Sequence, residues 1–135
     1  MKLHERSAGY AAEWLKRARS NLALAKARTS EEIYLEDLCF ELQQAAEKSL
    51  KAVLIAKHIT FRFVHDLAEL ITLLDQNGVE IPSQIRQAAS LTDYSVEARY
   101  PGPFEAVTPD EYKEALGLAE NVVAWAETCL ADTPE

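Results

Sequence analysis

Apolar residues recur at every third or fourth position over three long stretches of the chain, a spacing that places them on one face of an α-helix. The stretches cover residues 8–27, 29–57 and 109–130. In the second stretch the apolar face consists of Leu35, Leu38, Leu42, Ala45, Ala46, Ser49, Val53 and Ala56. The opposite face carries mainly charged and amide side chains. The pattern therefore predicts three long amphipathic helices, each burying one face.

Two helix starts can be read from capping residues. A Thr followed three residues later by Glu forms a capping box, in which each side chain accepts a hydrogen bond from the other residue's backbone N–H. Thr29 and Glu32 have this spacing at the start of the second helix. Thr108 and Glu111 have it at the start of the last helix, with a proline in the first turn. We expect both helices to begin at these capping residues.

The segment between the second and the last helix is predicted to hold two shorter helices. One begins near His65 and ends at Asn77-Gly78, because glycine readily adopts the left-handed conformation that closes a helix. The other is opened by Pro82. Residues 93–108 form the longest irregular stretch, and long loops in compact domains often carry function.

The composition agrees with an all-α fold. The chain has 135 residues, 48% of them hydrophobic, and only 4 Gly and 5 Pro, which leaves little material for the many turns of a β-protein. A chain of this length is expected to form a single domain over residues 1–135. We predict an antiparallel up-and-down helical bundle with a four-helix-type core and an additional short helix.

The net charge of −8 is distributed unevenly. Residues 1–28 carry +5, residues 29–100 carry −6 and residues 101–135 carry −7. An acidic chain is repelled by backbone phosphates, so DNA is not an expected partner. The basic first helix could hold an anion or pack beside the acidic last helix, and we favour the second interpretation.

Other classes of protein find little support in the sequence. No apolar run approaches the roughly 20 residues that span a bilayer, and the N-terminus lacks the apolar core of a signal peptide, so we expect a cytoplasmic protein without membrane contact. Cys39 and Cys129 are predicted to be buried thiols. The three histidines are too dispersed for a metal centre, so neither a metal nor another cofactor is expected.

One group of polar residues could bind a ligand. Lys48 and Lys51 lie one turn apart on the second helix, so both ammonium groups could meet one anion. His65 and Asp66 open the next helix, whose free N–H groups attract phosphate.

Two residues of the long loop extend this group, because Arg99 could offer a planar fork to phosphate beside Tyr100. A structural alternative explains the same residues without a ligand. It consists of a surface pair between Glu47 and Lys51, a helix cap at His65-Asp66, and a salt bridge from Arg99 to an acid of the bundle.

Three apolar side chains depart from the helical pattern. Phe40 and Ile55 project among the charged positions of the second helix, and Trp125 lies at the edge of the apolar face of the last helix. A large apolar side chain away from the core favours a contact with a second copy or another protein. These three residues are therefore candidate interface residues.

The motifs QQAAEKSLKAVLIAK, HDLAELITLL and EARYPG follow one another at residues 43–57, 65–74 and 97–102. In this order and on an all-α pattern, the chain resembles the HEPN domain family (higher eukaryote and prokaryote nucleotide-binding). The resemblance implies a helical bundle that often dimerises. It also implies action with a separate minimal nucleotidyltransferase, frequently as a toxin–antitoxin pair, and a nucleotide as a candidate ligand.

The chain departs from the family pattern at two places. Ribonuclease members carry an Arg, a few polar residues and then a His, whereas this chain has Arg62-Phe63-Val64-His65, which is too short, and no His after Arg99. A Gly often follows the second helix in the family, and His58 stands there in this chain. General acid–base machinery for RNA cleavage is therefore not visible, and no catalytic residue is predicted.

Three hypotheses follow for the function. The first is a non-catalytic interaction and nucleotide-associated module, a homodimer that partners a minimal nucleotidyltransferase. The second is a divergent ribonuclease toxin that uses Arg62 with His65. The third is a purely structural bundle without a ligand.

Overall fold

The computed structural model describes residues 7–27, 30–95 and 106–132, and for residues 7–9 it describes the backbone alone. Within these ranges all regular structure is helical. The elements are α1 (Ser7–Lys26), α2 (Leu35–Ala56), α3 (Leu67–Gln76), α4 (Ser83–Gln87), a 3₁₀ helix (Ala88–Tyr94) and α5 (Pro109–Asp132). The predicted all-α bundle is confirmed.

Helix α2 is the centre of the bundle. It packs against α1, α5, α3 and the 3₁₀ helix, and 15 of its 22 residues are buried. A helix surrounded by neighbours needs more than one apolar face. The prediction that Ile55 projects among the charges is therefore wrong, since Ile55 is buried in a small cluster with Ala11 and Ala56 at one end of the bundle.

The capping box of α5 is confirmed. The backbone N–H of Thr108 donates to Glu111 Oε1 at 2.8 Å, and the backbone N–H of Glu111 donates to Thr108 Oγ1 at 3.1 Å. The predicted start of α2 is wrong, because that helix begins at Leu35. Residues 30–34 form turns instead, and Tyr34 takes an extended conformation that leads into the helix. The other half of the predicted box, Thr29, lies outside the described residues.

Two ion pairs join basic residues of α1 to acidic residues of α5. Arg19 Nε lies 2.6 Å from Glu127 Oε2, and Lys26 Nζ lies 3.1 Å from Glu120 Oε2. The interpretation that the basic first helix packs beside the acidic last helix is thus confirmed for these residues. Because both pairs are solvent-exposed, each contributes at most about 1 kcal/mol and sets orientation more than stability.

The remaining expectations from composition can be compared with the described residues. Cys39 is buried, and this burial is the main reason that the pKa of its thiol rises to about 12. Cys129 is half-buried. None of the helices among the described residues is long and apolar enough to cross a membrane.

Helices α2 and α3 end in the same way. After α2 the N–H of His58 bonds to the carbonyl of Ile55 at 3.0 Å, and the N–H of Ile59 bonds to the carbonyl of Leu54 at 2.9 Å. This is the Schellman arrangement, whose residue after the cap adopts a positive φ. Gly78 takes that place after α3 with φ 82°, and His58 takes it after α2 with φ 59°. A Cβ makes this conformation costly, so His58 is a strained position.

Replacing His58 with glycine is expected to stabilise the protein by about 1 kcal/mol, because glycine adopts the left-handed conformation without a Cβ clash. Thermal unfolding followed by circular dichroism should show a rise in Tm of a few degrees. His58→Ala is the matched control, since it removes the imidazole and keeps the Cβ. An equal rise for both variants would show that the imidazole, and not the backbone, is the source of the strain.

Candidate functional site

The most distinctive polar feature is a cluster around the carboxylate of Glu47 in the middle of α2. One carboxylate oxygen, Oε2, accepts a hydrogen bond from Lys51 Nζ at 2.8 Å. The other, Oε1, accepts from Gln43 Nε2 at 2.9 Å and lies 3.0 Å from His65 Nδ1. The side chains of Glu47 and Lys51 are 4% and 3% exposed, so this is a buried ion pair and not the predicted surface pair.

The cluster joins α2 to the connection between α2 and α3. His65 belongs to that connection, and its carbonyl oxygen accepts a second hydrogen bond from Gln43 Nε2 at 3.2 Å. The carbonyl of the Gln43 amide in turn accepts from Gln44 Nε2 at 2.8 Å. Both the ring and the backbone of His65 are therefore held against the same turn of the central helix.

Two aromatic rings flank the buried ammonium group. Lys51 Nζ lies 5.7 Å from the ring centroid of Trp14 on α1 and 5.8 Å from the ring centroid of Phe63 on the connection. A cation over an aromatic face is attracted by the ring quadrupole, and the attraction grows when the cation is desolvated. These rings replace part of the hydration that Lys51 loses on burial.

The pKa of Glu47 is set by two opposing effects. Burial acts to raise the pKa of the carboxyl, but the hydrogen bonds from Lys51, Gln43 and His65 outweigh it and hold the pKa below its ordinary value of 4.5. Glu47 is thus an ionised group whose charge is matched by its neighbours. The arrangement resembles a structural clamp more than a general base, which would need a raised pKa.

Acid is expected to destabilise the folded protein by protonating the Glu47 carboxylate. Its pKa is lower in the folded chain than in the unfolded chain, so its stabilising contribution is complete above about pH 4.5 and is lost as the pH falls through the folded value. We expect the urea midpoint of the wild type to fall more steeply below pH 4.5 than that of Glu47→Gln.

The matched control for this pH series is Glu69→Gln. The pKa of Glu69 is also lowered, by the hydrogen bond from Arg62, but both groups are exposed and solvent screens the pair. Urea midpoints at pH 6, 5, 4 and 3 compare the three proteins. The explanation for Glu47 would be wrong if Glu47→Gln kept the wild-type slope.

The predicted anion site is not assembled around both lysines. Lys51 is bound to Glu47, while Lys48 Nζ donates to Asn21 Oδ1 on α1 at 2.9 Å. Asn21 in turn donates to Glu41 Oε1 at 2.6 Å. Burial lowers the pKa of Lys48, although the nearby carboxylates Glu41 and Glu47 oppose this effect. The two ammonium groups therefore have different intramolecular partners, which corrects the expectation that they converge on one ligand.

The start of α3 is also largely occupied by the chain itself. Asp66 is the N-cap residue, and its Oδ1 accepts from the N–H of Ala68 at 3.0 Å. The N–H of Leu67 donates to Thr92 Oγ1 on the 3₁₀ helix at 3.0 Å. The helix-cap interpretation of Asp66 is confirmed, and two of the N–H groups expected to meet phosphate already have acceptors.

The other predicted site residues stand as follows. Arg62, which the ribonuclease hypothesis needs, binds both carboxylate oxygens of Glu69 through Nε at 3.0 Å and Nη2 at 3.1 Å. Arg99 and Tyr100 lie outside the described residues. Phe40 and Trp125 are half-buried, and Trp125 packs against the main core. Their role at an interface stays a prediction.

Sequence reasoning missed Gln43, Trp14 and Phe63 as members of the cluster. The sequence did contain a signal for Gln43. Gln43, Glu47 and Lys51 are spaced by four residues and so lie along one row of the helix surface. No sequence signal linked that row to Trp14 or Phe63. In the described part of the chain, no group of three or more His, Cys, Asp and Glu side chains is placed to hold a metal ion.

These features define the class of protein as an all-α bundle whose central helix carries a buried, internally paired charged cluster. A family model for the HEPN domain matches residues 11–129. The chain therefore belongs to the HEPN domain family, and the resemblance seen in its motifs is confirmed.

Relatives of known sequence or structure agree with this family. The chain is 32% identical over 129 residues to a Methanocaldococcus jannaschii protein named "Putative toxin MJ1304", with 84% of each chain covered. It is similar to the crystal structure of TT1696 from Thermus thermophilus, with a TM-score of 0.76 and 32% identity over 88% of this chain and 97% of that one. ST0689, described as an archaeal HEPN homologue, gives a TM-score of 0.68 and 26% identity over 89% and 97%.

Proposed function

We propose that this protein is a non-catalytic, nucleotide-associated HEPN module that forms a homodimer and acts with a separate minimal nucleotidyltransferase, as one half of a toxin–antitoxin-like pair. The toxin-like part of the proposal is supported by the name of the Methanocaldococcus jannaschii relative. The partner is supported by the motifs that the chain shares with small prokaryotic members of the family.

One observation carries the non-catalytic part of the proposal. The two residues that a divergent ribonuclease would use are each paired with a carboxylate of this chain, Arg62 with the exposed Glu69 and His65 with the buried Glu47. Glu47 keeps a lowered pKa and also accepts hydrogen bonds from Lys51 and Gln43, so it holds the His65 ring in place and is not itself a general base. These contacts favour a structural role for both residues.

RNA cleavage tests the non-catalytic part directly. Purified wild type and the double variant Arg62→Ala/His65→Ala are incubated with a mixed-sequence, fluorophore-quenched single-stranded RNA. The proposal expects equal, background-level cleavage from both preparations. Cleavage by the wild type that is lost in the double variant would replace the proposal with the ribonuclease hypothesis.

The partner is tested by mixing. If the gene beside this one encodes a small nucleotidyltransferase, the two purified proteins are expected to elute together in size-exclusion chromatography with light scattering. The same experiment on this protein alone reports its oligomeric state, with Phe40→Glu as the variant expected to weaken a dimer. Separate elution at tens of micromolar would contradict the partnership.

A nucleotide is the remaining part of the proposal. His65 is 59% exposed and lies in the described part of the chain, and Arg99 and Tyr100 would have to complete the site with it. Calorimetric titration of ATP and GTP into wild type, Lys51→Ala and Arg99→Ala separates the contributions. Since Lys51 is paired with Glu47, we expect Arg99→Ala to reduce the heats more than Lys51→Ala. If neither ATP nor GTP gave a binding heat with the wild type, the nucleotide part of the proposal would be wrong.

A further inference from the structure

Lys51 is buried beside a segment that is not part of the helical bundle. The Lys51 side chain is 3% exposed, yet Phe63, whose ring lies over Lys51 Nζ, is 84% exposed. One face of the ring therefore rests over Lys51 while most of its surface meets water. Phe63 acts as a cover for the cluster and gains little burial of its own.

Residues 57–66, here called the strap, connect α2 to α3 without a helical turn of their own. The strap is fixed at its start by the left-handed His58 and at its end by the Asp66 cap. Between these points Ile59, Phe61 and Val64 are partly buried against the core. Near the cluster, its further attachments are the Phe63 ring over Lys51, the contacts of His65 with Glu47 and Gln43, and the exposed Arg62–Glu69 pair to α3.

Opening the strap costs less than opening a helix of the bundle. The movement breaks the Phe63–Lys51 contact, the contacts of the half-exposed His65 ring and the partial packing of Phe61 and Val64 beside them. It leaves the ladder of α2 hydrogen bonds unchanged. In return it lets water reach a buried ion pair, whose burial is itself costly. A segment whose apolar side chains are only partly buried, and whose His65 ring is half exposed, is expected to open locally.

We propose that the strap opens independently of the bundle, with Phe63 as its cover and His65–Glu47 as its latch, and that this opening exposes Lys51. In the closed state Lys51 and Glu47 are buried and Trp14 is partly buried. In the open state they form a new polar surface between α1 and α2. The strap thus changes which face the protein presents, whichever partner it binds.

Acetylation of Lys51 by N-hydroxysuccinimide acetate, mapped by mass spectrometry of peptides, measures the opening. The amine attacks the ester carbonyl and N-hydroxysuccinimide leaves, so the rate follows access to the amine. We expect wild-type Lys51 to react at least about tenfold more slowly than the exposed Lys16. Phe63→Ala should accelerate Lys51 about tenfold and leave Lys16 within twofold of its wild-type rate.

Two variants test whether the Phe63 ring itself, and not the general stability of the fold, slows the acetylation of Lys51. Phe63→Tyr keeps an aromatic ring over the ammonium and is expected to restore slow acetylation. Tyr34→Ala truncates another strongly exposed aromatic residue, located before α2 at the opposite end of that helix, and should leave the Lys51 rate unchanged. Equal acceleration by Phe63→Ala and Tyr34→Ala would overturn the proposal.

The dependence on urea distinguishes local from global opening. Below the unfolding transition, the wild-type acetylation rate of Lys51 should stay constant, because a local movement exposes little surface. A rate that rises with urea in step with global unfolding would show that the strap opens only when the bundle does. A wild-type Lys51 that reacts as fast as Lys16 would show that the strap does not cover it.

Discussion

Replacing Glu47 with leucine is expected to lower the free energy of unfolding by about 3–5 kcal/mol, a large share of the 5–15 kcal/mol that stabilises a typical domain. The variant leaves Lys51 buried and charged with only two aromatic rings beside it. It also removes one of the two acceptors of Gln43 Nε2 and the partner of the His65 ring. Urea unfolding followed by circular dichroism measures the loss.

Lys51→Met should cost less than Glu47→Leu. In that variant the carboxylate of Glu47 keeps its contacts with Gln43 and His65, whereas the ammonium of Lys51 in Glu47→Leu keeps no anionic partner. The double variant Glu47→Leu/Lys51→Met should recover much of the loss, because two apolar side chains of similar volume can replace a buried ion pair. Additive losses in the double variant would mean that the two charges do not interact as a pair.

Leu42→Ala is expected to cost about 2–5 kcal/mol. Leu42 is fully buried on the central helix, and α2 is held by neighbours on several sides, so the cavity cannot collapse easily. The urea midpoint should fall while the slope m remains that of the wild type, since the same surface is exposed on unfolding.

Leu24→Ala is the control for Leu42→Ala. The same substitution there removes a side chain that is 56% exposed, and its cost should stay within about 0.5 kcal/mol. If the two variants lost equal stability, Leu42 would not be the packed core residue that the structure shows.

Helix boundaries illustrate how far local sequence carries the fold. Thr108 and Glu111 predicted the start of α5 correctly, because both hydrogen bonds of the capping box form within four residues. Asn77-Gly78 predicted the end of α3 correctly, because the positive φ that closes this helix depends on the glycine itself. The start of α2 was placed too early, at Thr29, because residues 30–34 form turns that lead into the helix at Leu35.

The charged cluster could not be predicted in the same way. Glu47 and Lys51 are spaced by four residues, which on an isolated helix describes an ordinary surface pair. In the fold the Lys51 ammonium group is flanked by Trp14 on α1 and Phe63 on the strap, neither of which is close to it in sequence. The anion-site hypothesis counted Lys48 and Lys51 as neighbours, but contacts with α1 and with Glu47 direct their ammonium groups to different partners.

The sequence by itself determined the all-α class, the helix periodicity, the cap of α5 and the family, because these depend on residues a few positions apart or on motif order. The tertiary structure alone decided that α2 is enclosed, that Ile55 is core, and that Glu47, Lys51 and His65 form one cluster under Phe63. The physical reason is that burial is a property of what surrounds a helix face. From sequence alone, a charged helix face is therefore interpreted as solvent-exposed, because its neighbours are not known.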